Sequence, residues 1–313
     1  MVKSVKSLYH MLSISQNECE TYCRNQRLTR FSKQGASIHR LALHSLAHRI
    51  LMPLLAADLF VKGKHLVIVG DHRIRTHRPV IYCPTHIGGV DIEMSFLAIQ
   101  TPCWILMGDP RELYHSFDGF LLDVNGMIPM DVAEKEDRRV AKAQMEALLH
   151  KGGSLLMFAE GVQNISPNAL VNPLFPGAVE MAASCDADLV PIALGREGNT
   201  YYANIGKNIR YGRRCKEDLK TCTDYLRDTM ATLKWEILEQ LPLQKRSKLS
   251  DTAYEDFVHA AFDLGTSYTW TVEDIQKGMY RPKGQTDPQE VFSFLERITP
   301  RSANAFLFHG QRL

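Results

Sequence analysis

Residues 80–93, VIYCPTHIGGVDIE, lead from an apolar run into a polar segment that contains two glycines. The apolar run is typical of a buried β-strand, and Asp91 stands near the start of the next predicted helix. Gly88 and Gly89 allow a tight turn between the two elements, because glycine adopts backbone conformations that other residues avoid. The stretch therefore predicts a strand–turn–helix unit that brings His86 close to Asp91.

The pair formed by His86 and Asp91 suits acid–base chemistry. A carboxylate within reach of an imidazole fixes its tautomer and stabilises its cationic form, as a general base that takes a hydroxyl proton requires. The spacing H-x4-D also occurs by chance, so alone it equally fits a structural turn with a hydrogen-bonded histidine. Two further alternatives are a Cys83 thiol nucleophile beside His86 and a metal held by His86, Asp91 and Glu93. Since no further ligand cluster follows nearby, we expect no metal.

From residue 64 to residue 205 the chain alternates between short apolar runs and helical segments. This alternation predicts an α/β fold with a central, mostly parallel sheet flanked by helices. The predicted strands are 65–69, 80–83, 104–107, 127–130, 155–158 and 189–194, with 201–205 as a further candidate. The predicted helices are about 91–100, 111–122, 134–151, 176–184 and 216–240, followed by helical segments at 251–265 and 290–298.

The chain divides into three parts. Residues 1–61 form a basic arm and an amphipathic helical element for membrane docking, residues 62–245 form the α/β core, and residues 246–313 form a C-terminal helical extension of unknown role. The first 50 residues carry eight Lys or Arg and two acids, a net charge of +6. A basic arm beside an apolar helix favours an anionic membrane surface as partner, with a solvated tail as the alternative. Pro53 is a point at which this helix could break.

Composition narrows the class of protein. A net charge of +2 excludes a generally basic nucleic-acid binder, so we expect no nucleic acid as partner. Seven cysteines without zinc-site spacing indicate free thiols in a reducing compartment. No apolar run approaches the ~20 residues of a membrane span, and no signal peptide is evident. We expect a cytoplasmic protein, peripheral on the inner face of a membrane.

Polar or unusual residues also follow or interrupt later predicted strands. Glu160 comes directly after the run at 155–158, and α/β sheets bind ligands at the carboxyl ends of their strands. Pro191 interrupts the run at 189–194, and a proline in a strand is confined to a start, an edge or a bulge. These positions are candidates for a site beside His86.

Four blocks in order resemble the glycerolipid acyltransferase family, the lysophosphatidic acid acyltransferase-like enzymes. THIGGVD at 85–91 matches the family's H-x4-D motif, and LLMFAEGVQN at 155–164 and LVPIAL at 189–194 resemble its F-P-E-G-x-R and V-P-I motifs. The block at 107–131 resembles its K-x-E-L…G…G-x-I-x-x-D/R region through Arg111, Glu112, Leu113, Gly119, Gly126, Ile128 and Asp131. The resemblance covers residues 60–205.

The resemblance implies transfer of a fatty acyl group from acyl-CoA or acyl carrier protein to a lysolipid hydroxyl, without a metal or cofactor. His86 is then the general base and Asp91 orients it. The resemblance further implies that Glu160 and Gly161 shape the acceptor site and that Pro191 lies at the acyl end. We expect the turn glycines, Gly88 and Gly89, to let substrate approach the backbone and to offer N–H groups to the oxyanion.

Departures from the family pattern bear on the acceptor. Gln163 stands where an arginine is expected, Val132 where a basic residue is often found, and Ala159 replaces the motif proline. An amide cannot replace the guanidinium fork that binds phosphate, so we predict an acceptor other than a simple phosphate monoester. In the alternative, the missing charges are supplied by three nearby basic residues, Lys135, Arg138 and Arg139. An acyl thioesterase and a non-catalytic lipid-binding module remain the alternative functions.

Overall fold

A computed structural model describes residues 13–38, 41–108, 110–114, 116–242, 246–262 and 270–282. Its helices are α1 (Gln16–Gln34), α2 (Leu41–Val61), α3 (Asp91–Ile99), α4 (Phe117–Asn125), α5 (Lys135–His150), α6 (Gly177–Cys185), α7 (Leu219–Gln240), α8 (Ala253–Phe262) and α9 (Val272–Gly278). Its strands are β1 (His65–Asp71), β2 (Val80–Pro84), β3 (Trp104–Gly108), β4 (Met127–Met130), β5 (Leu155–Leu156), β6 (Asp188–Glu197), β7 (Thr200–Ile205) and β8 (Ile209–Arg210). The helix predicted at 290–298 lies outside the described residues.

The strands form one sheet in the order β1-β7-β6-β2-β5-β3-β4, with β8 also paired to β6. Strands β2 to β6 run parallel to one another, whereas β7 and β8 are antiparallel to β6 and β1 is parallel to β7. Helices flank this sheet. The predicted α/β class with a mostly parallel sheet is therefore confirmed.

Strand β2 lies in the middle of the sheet and has a helical layer on each face. Its five residues are all buried, as its continuous apolar sequence predicts. Ile81 and Cys83 belong to the core cluster that contains residues of α5, α6 and α7, whereas Val80 and Tyr82 pack with residues of α3. This alternation follows from the two-residue period of a strand. It fixes the end of β2, and with it His86, at the carboxyl edge of a rigid sheet.

One predicted helix differs from the structure, and one observed helix was not predicted. Residues 111–122 form a 3-10 turn at Pro110–Leu113 and a separate helix α4, because the Ser116 hydroxyl accepts the Gly119 N–H at 3.0 Å and caps a new helix. Helix α1 was missed, although Ser15 and Glu18 form a capping box at its start. Its low apolar content hides it from a search for apolar periodicity.

The N-terminal helices pack on the core, and acidic side chains neutralise part of the positive charge of the basic arm. Arg27 of α1 lies 2.6 Å from Asp137 and 3.1 Å from Glu20, and Arg24 lies 2.6 Å from Asp131. Arg24 and Arg27 therefore pair with acids of this chain.

Helix α2 runs without a break through Pro53, which lies on its exposed side. A carbonyl that loses its helical partner on that side is open to solvent, which reduces the cost of the proline. Its residues Leu46, Ile50 and Leu54 are 54%, 59% and 62% exposed. Within the described part of the chain, no helix has the length and apolarity that a membrane crossing requires.

The cysteines divide into two groups. Cys215 and Cys222 form a disulfide across the junction of the 3-10 turn Arg213–Lys216 and α7, where their Cα atoms lie 6.2 Å apart. The prediction of free thiols is wrong for this pair, because the turn folds back on the first turn of the helix. It is confirmed for the other five cysteines, which are free and buried, namely Cys19, Cys23, Cys83, Cys103 and Cys185.

Candidate active site

His86 and Asp91 meet at the turn between β2 and α3. The Nδ1 atom of His86 lies 2.8 Å from Oδ2 of Asp91. The same oxygen accepts the backbone N–H groups of Ile87 and Gly88, each at 2.8 Å. The Asp91 side chain is buried, and the His86 side chain is 15% exposed. Because a carboxylate only accepts hydrogen bonds, the proton of neutral His86 is held on Nδ1 and Nε2 is left as the basic atom.

The ring of His86 is held in place but open at its basic nitrogen. It packs against Phe158, with ring centroids 4.4 Å apart. Among the residues that the structure describes, none forms a hydrogen bond with Nε2. An imidazole anchored at Nδ1 and open at Nε2 can take a proton from a substrate hydroxyl.

The glycines of the turn are required by its geometry. Gly88 and Gly89 have φ angles of 73° and 63°, in the left-handed region that favours glycine. A Cβ at Gly88 would lie 2.1 Å from the carbonyl oxygen of Ala261 in α8. The N–H of Gly89 donates to that carbonyl at 3.2 Å, and the N–H of Gly88 donates to Asp91. Neither N–H is therefore free to bind an oxyanion in this structure, contrary to expectation.

Glu160 joins the two loops that follow β2 and β5. Its Oε1 accepts the backbone N–H of His86 at 2.8 Å, and its Oε2 accepts that of Asn172 at 2.8 Å. The carbonyl of His86 accepts the N–H of Asn164 at 2.7 Å. The Glu160 side chain is fully buried. These contacts fix the backbone of His86. The sequence predicted only that Glu160 lies near the acceptor site, and not that it binds this backbone.

The loop after Glu160 is tightly packed. Gly161 has a φ of 76°, and a Cβ there would lie 2.5 Å from the ring of Phe175. Gln163 is only 6% exposed, although a polar loop residue is usually solvated. The side chain of Asn164 donates to the carbonyl of Ala169 at 2.9 Å and accepts the N–H of Ser166 at 2.9 Å. The predicted acceptor residues Gly161 and Gln163 therefore lie in a constrained segment beside the catalytic turn.

Nearby carboxylates stabilise the charged form of His86. Burial lowers the pKa of His86, but the charge and hydrogen bond of Asp91 and the charge of Glu160 raise it above its usual value. Burial raises the pKa of Glu160 to about 7, against the opposing effects of the Lys234 charge and of its hydrogen bonds to His86 and Asn172. Burial lowers the pKa of Lys234, against the opposing charges of Glu160 and Asp91. The site is thus a buried group of two acids and two bases.

Cys83 is a poor candidate nucleophile. Its side chain is fully buried, and burial raises the pKa of its thiol to about 12. The thiolate is the reactive form of cysteine, so a buried thiol of this kind stays protonated and unreactive. The structure therefore favours the hydroxyl-activating interpretation of His86 over a cysteine–histidine pair.

Pro191 lies inside β6, a central strand, and not at the start or the sheet edge. It faces Cys83 of β2 in the parallel register. On its other side, β8 pairs with Asp188 and Leu189, whereas β7 pairs from Ile192 onward. A residue without an N–H is tolerated at this gap between two partners, because no ladder hydrogen bond is lost there. Its carbonyl accepts the N–H of Gly206 at 2.9 Å.

The three basic residues proposed as substitutes lie on the surface, at the start of α5. Nη1 of Arg138 donates to the carbonyl oxygen of Val132 at 2.5 Å. Arg139 pairs with Glu136 at 2.9 Å and packs over the ring of Phe31. Both arginines thus make local contacts, and Lys135 is exposed beside them.

Sequence reasoning missed three contributors to the site. Asn172 and Ala261 act through backbone groups, for which side-chain identity gives no signal. Lys234 belongs to a long helix in which an isolated lysine is ordinary. Only tertiary packing shows that it is buried, with 8% of its surface exposed.

Part of the sequence and the fold are similar to known proteins. Residues 65–195 match the family model described as Acyltransferase. The structure is similar to that of the 1-acyl-sn-glycerophosphate (LPA) acyltransferase PlsC from Thermotoga maritima, with a TM-score of 0.51. The two sequences are 12% identical, and the match covers 62% of this chain and 81% of that chain. No curated protein matches the sequence significantly.

An acyltransferase family model thus matches residues 65–195, from β1 to the end of the buried part of β6. Through this segment the chain is similar to glycerolipid acyltransferases. Transfer of an acyl group is the activity that this similarity supports.

Proposed function

We propose that the protein transfers a fatty acyl group from an acyl thioester to a hydroxyl of a lysolipid, with His86 as the general base. The observation that carries the proposal is the His86–Asp91 pair, which is joined at Nδ1 and open at Nε2. The family of the domain supports acyl transfer. The similar enzyme from Thermotoga maritima is named for a lysolipid acceptor, which supports this class of acceptor.

In the proposed reaction, Nε2 of His86 takes the hydroxyl proton while the hydroxyl oxygen attacks the thioester carbonyl carbon. Asp91 stabilises the imidazolium that forms. The tetrahedral intermediate then collapses, the carbon–sulfur bond breaks, and the proton passes from His86 to the leaving thiolate. The products are an ester and a free thiol, and the donor is either acyl-CoA or acyl carrier protein.

The proposed acceptor is a lysolipid whose phosphate, if present, carries a head group. Gln163 offers a neutral amide beside the catalytic turn, where a phosphate monoester would favour a guanidinium. Arg138 and Arg139 make local contacts on the surface of α5. Arg24, which lies near the same strand end, is paired with Asp131. These contacts support an acceptor of lower negative charge.

We also propose that the exposed face of α2 docks on the inner, cytoplasmic surface of an anionic membrane. Ile50 and Leu54 on α2 are more than half exposed, and Phe117 and Phe120 of the adjoining α4 are 72% and 56% exposed. An apolar face of this kind on a folded protein marks an interaction surface. Arg49, exposed on α2, adds a positive charge that suits anionic lipid.

The direct test is product analysis. Purified protein and its His86→Ala variant are incubated with labelled acyl-CoA, or labelled acyl carrier protein, and a panel of lysolipids that includes lysophosphatidic acid. We expect a labelled diacyl product from a lysolipid with a head group, reduced about 10²–10⁴-fold in the variant. Free fatty acid as the only product would indicate a thioesterase. A preference for lysophosphatidic acid would contradict the proposed acceptor, and no turnover with either donor would contradict acyl transfer.

A further inference from the structure

Arg196 connects the central sheet to the last turn of α8. In the β6–β7 hairpin it is paired with Tyr201, so the two side chains lie on the same face of the sheet. Its guanidinium carbon lies 5.3 Å from the centre of the Tyr201 ring, and its Nε donates to the carbonyl of Gly198 at 2.7 Å. Its Nη1 donates to the carbonyl of Ala260 at 2.9 Å. The guanidinium is therefore held by the hairpin while it binds α8.

The carbonyls of Ala260 and Ala261 require partners from outside α8. The last four carbonyl groups of an α-helix have no N–H partner within it, and they form the negative end of its dipole. Arg196 binds the first of these two carbonyls, and the N–H of Gly89 in the catalytic turn binds the second at 3.2 Å. A guanidinium suits this position because it carries a positive charge and several donors in one plane. The sheet and the catalytic turn thus hold the same end of α8.

The catalytic turn depends on such contacts because it contains two consecutive glycines. Glycine loses more conformational freedom on folding than any other residue, so a turn of two glycines keeps one conformation only when other groups hold it. Within the turn, Asp91 binds the N–H of Gly88. The N–H of Gly89 is instead held by α8, and that of Val90 by the hydroxyl of Tyr201 at 3.3 Å. The second half of the turn is therefore held from outside.

The guanidinium of Arg196 also lies beside this part of the turn. A Cβ on Gly89 would lie 3.1 Å from Nη1 of Arg196 and 2.4 Å from the hydroxyl oxygen of Tyr201. Loss of the guanidinium would therefore release the end of α8 and, with it, the backbone of Gly89. Because Asp91, two residues later, binds Nδ1 of His86, a displaced turn would change the position of the base.

We propose that Arg196 is a positioning residue for acyl transfer, whose guanidinium holds the end of α8 against the catalytic turn and so keeps His86 and Asp91 in their reactive geometry. The inference rests on the proposed function, because it takes His86 as the base. Arg196 directly follows residues 65–195, so the match to the family model does not include it.

The test compares Arg196→Met and Arg196→Lys with the control Arg78→Met. Arg78 also donates to a carbonyl at the end of a helix, that of Asp186 after α6, at 3.2 Å, but it precedes β2 and does not contact the turn. We expect Arg196→Met to lower kcat about 10²-fold, since small displacements of a catalytic group have effects of this size, while KM for the acyl donor changes little. Arg196→Lys keeps a charge and a donor, so it should lose less kcat. Arg78→Met should keep the wild-type kcat.

An unchanged kcat in Arg196→Met, or an equal loss in Arg78→Met, would overturn the proposal. Equal losses in the lysine and methionine variants would also overturn it, because they would assign the effect to packing of the side-chain stem. Tyr201→Phe removes the acceptor of the Val90 N–H and keeps the ring. If Arg196 and Tyr201 hold the same turn, the double variant Arg196→Met/Tyr201→Phe should lose less kcat than the product of the two single effects. Strictly multiplicative losses would contradict a shared action on the turn.

A measurement independent of turnover separates this inference from the proposed function. Amide hydrogen exchange, followed by NMR, should be faster at Gly89 in Arg196→Met than in the wild type, because the hydrogen bond to Ala261 opens more often. Exchange in the buried strand β2 should not change, and Arg78→Met should match the wild type at Gly89. Faster exchange at Gly89 in a protein without acyl transfer activity would support the role of Arg196 and refute the proposed function. Unchanged exchange at Gly89 would refute the role of Arg196.

Discussion

The N-terminal and C-terminal helices that flank the acyltransferase domain serve it differently. Arg27 of α1 forms an ion pair with Asp137 of the core, and the next helix, α2, has an exposed apolar face. The C-terminal helix α8 instead contacts the catalytic turn, through the Ala261 carbonyl, which accepts the N–H of Gly89. The comparison shows that the helices outside the domain act on it in different ways. A paired arginine attaches α1 to the core, whereas a backbone carbonyl of α8 constrains the catalytic turn.

The largest loss of stability is expected when the ion pairs that attach α1 to the core are removed. Arg27→Met leaves Asp137 and Glu20 buried without their cation, which costs about 3–5 kcal/mol of unfolding free energy. The matched control is Arg139→Met, whose exposed pair with Glu136 contributes at most about 1 kcal/mol. Urea unfolding measures both variants. A larger loss of unfolding free energy in Arg139→Met would contradict the structural role of Arg27. A lower kcat in folded Arg27→Met would contradict the claim that the N-terminal helices do not act on the catalytic turn.

The contact between the catalytic turn and α8 is tested by Gly88→Ala. The positive φ costs about 1–2 kcal/mol for alanine, and contact with the Ala261 carbonyl adds about 1–3 kcal/mol of overpacking. Gly152→Ala is the control, because Gly152 has a φ of 76° but nothing within 4 Å of its added Cβ. Urea unfolding should show the larger loss in Gly88→Ala, with kcat reduced only there. Equal losses would show that the α8 contact does not constrain the turn.

A smaller effect is expected for the apolar face of α2. The double variant Ile50→Ser/Leu54→Ser should bind anionic vesicles roughly 10–100-fold more weakly, because docking would bury only the exposed part of each side chain, which contributes about 1 kcal/mol. Its kcat with a monomeric acceptor in solution should not change. The control Val67→Ser/Ile68→Ser removes similarly exposed apolar groups from β1. Equal vesicle binding by both double variants would argue against docking through α2.

The sequence predicted the parts of the molecule that local patterns encode. Apolar runs gave most strands, and the glycine turn with its following helix placed His86 near Asp91, as the structure shows. The missed parts depend on tertiary packing. The carbonyl of Ala261 on α8 has no local signature, because its role arises only when a distant helix packs on the turn. The position of Pro191 likewise depends on the gap between β7 and β8, which no single strand reveals.

The pH dependence of kcat/KM in the wild type and in Asp91→Asn tests the central claim most directly. A general base must be neutral, so kcat/KM should fall as the pH is lowered through the pKa of His86, which Asp91 holds above its usual 6.5. Asp91→Asn removes that charge, so this limb should move to lower pH, and the plateau should fall by about 10²–10⁴-fold. A limb that stays in place in Asp91→Asn, or that persists with full activity in His86→Ala, would contradict the assignment of His86 as the base.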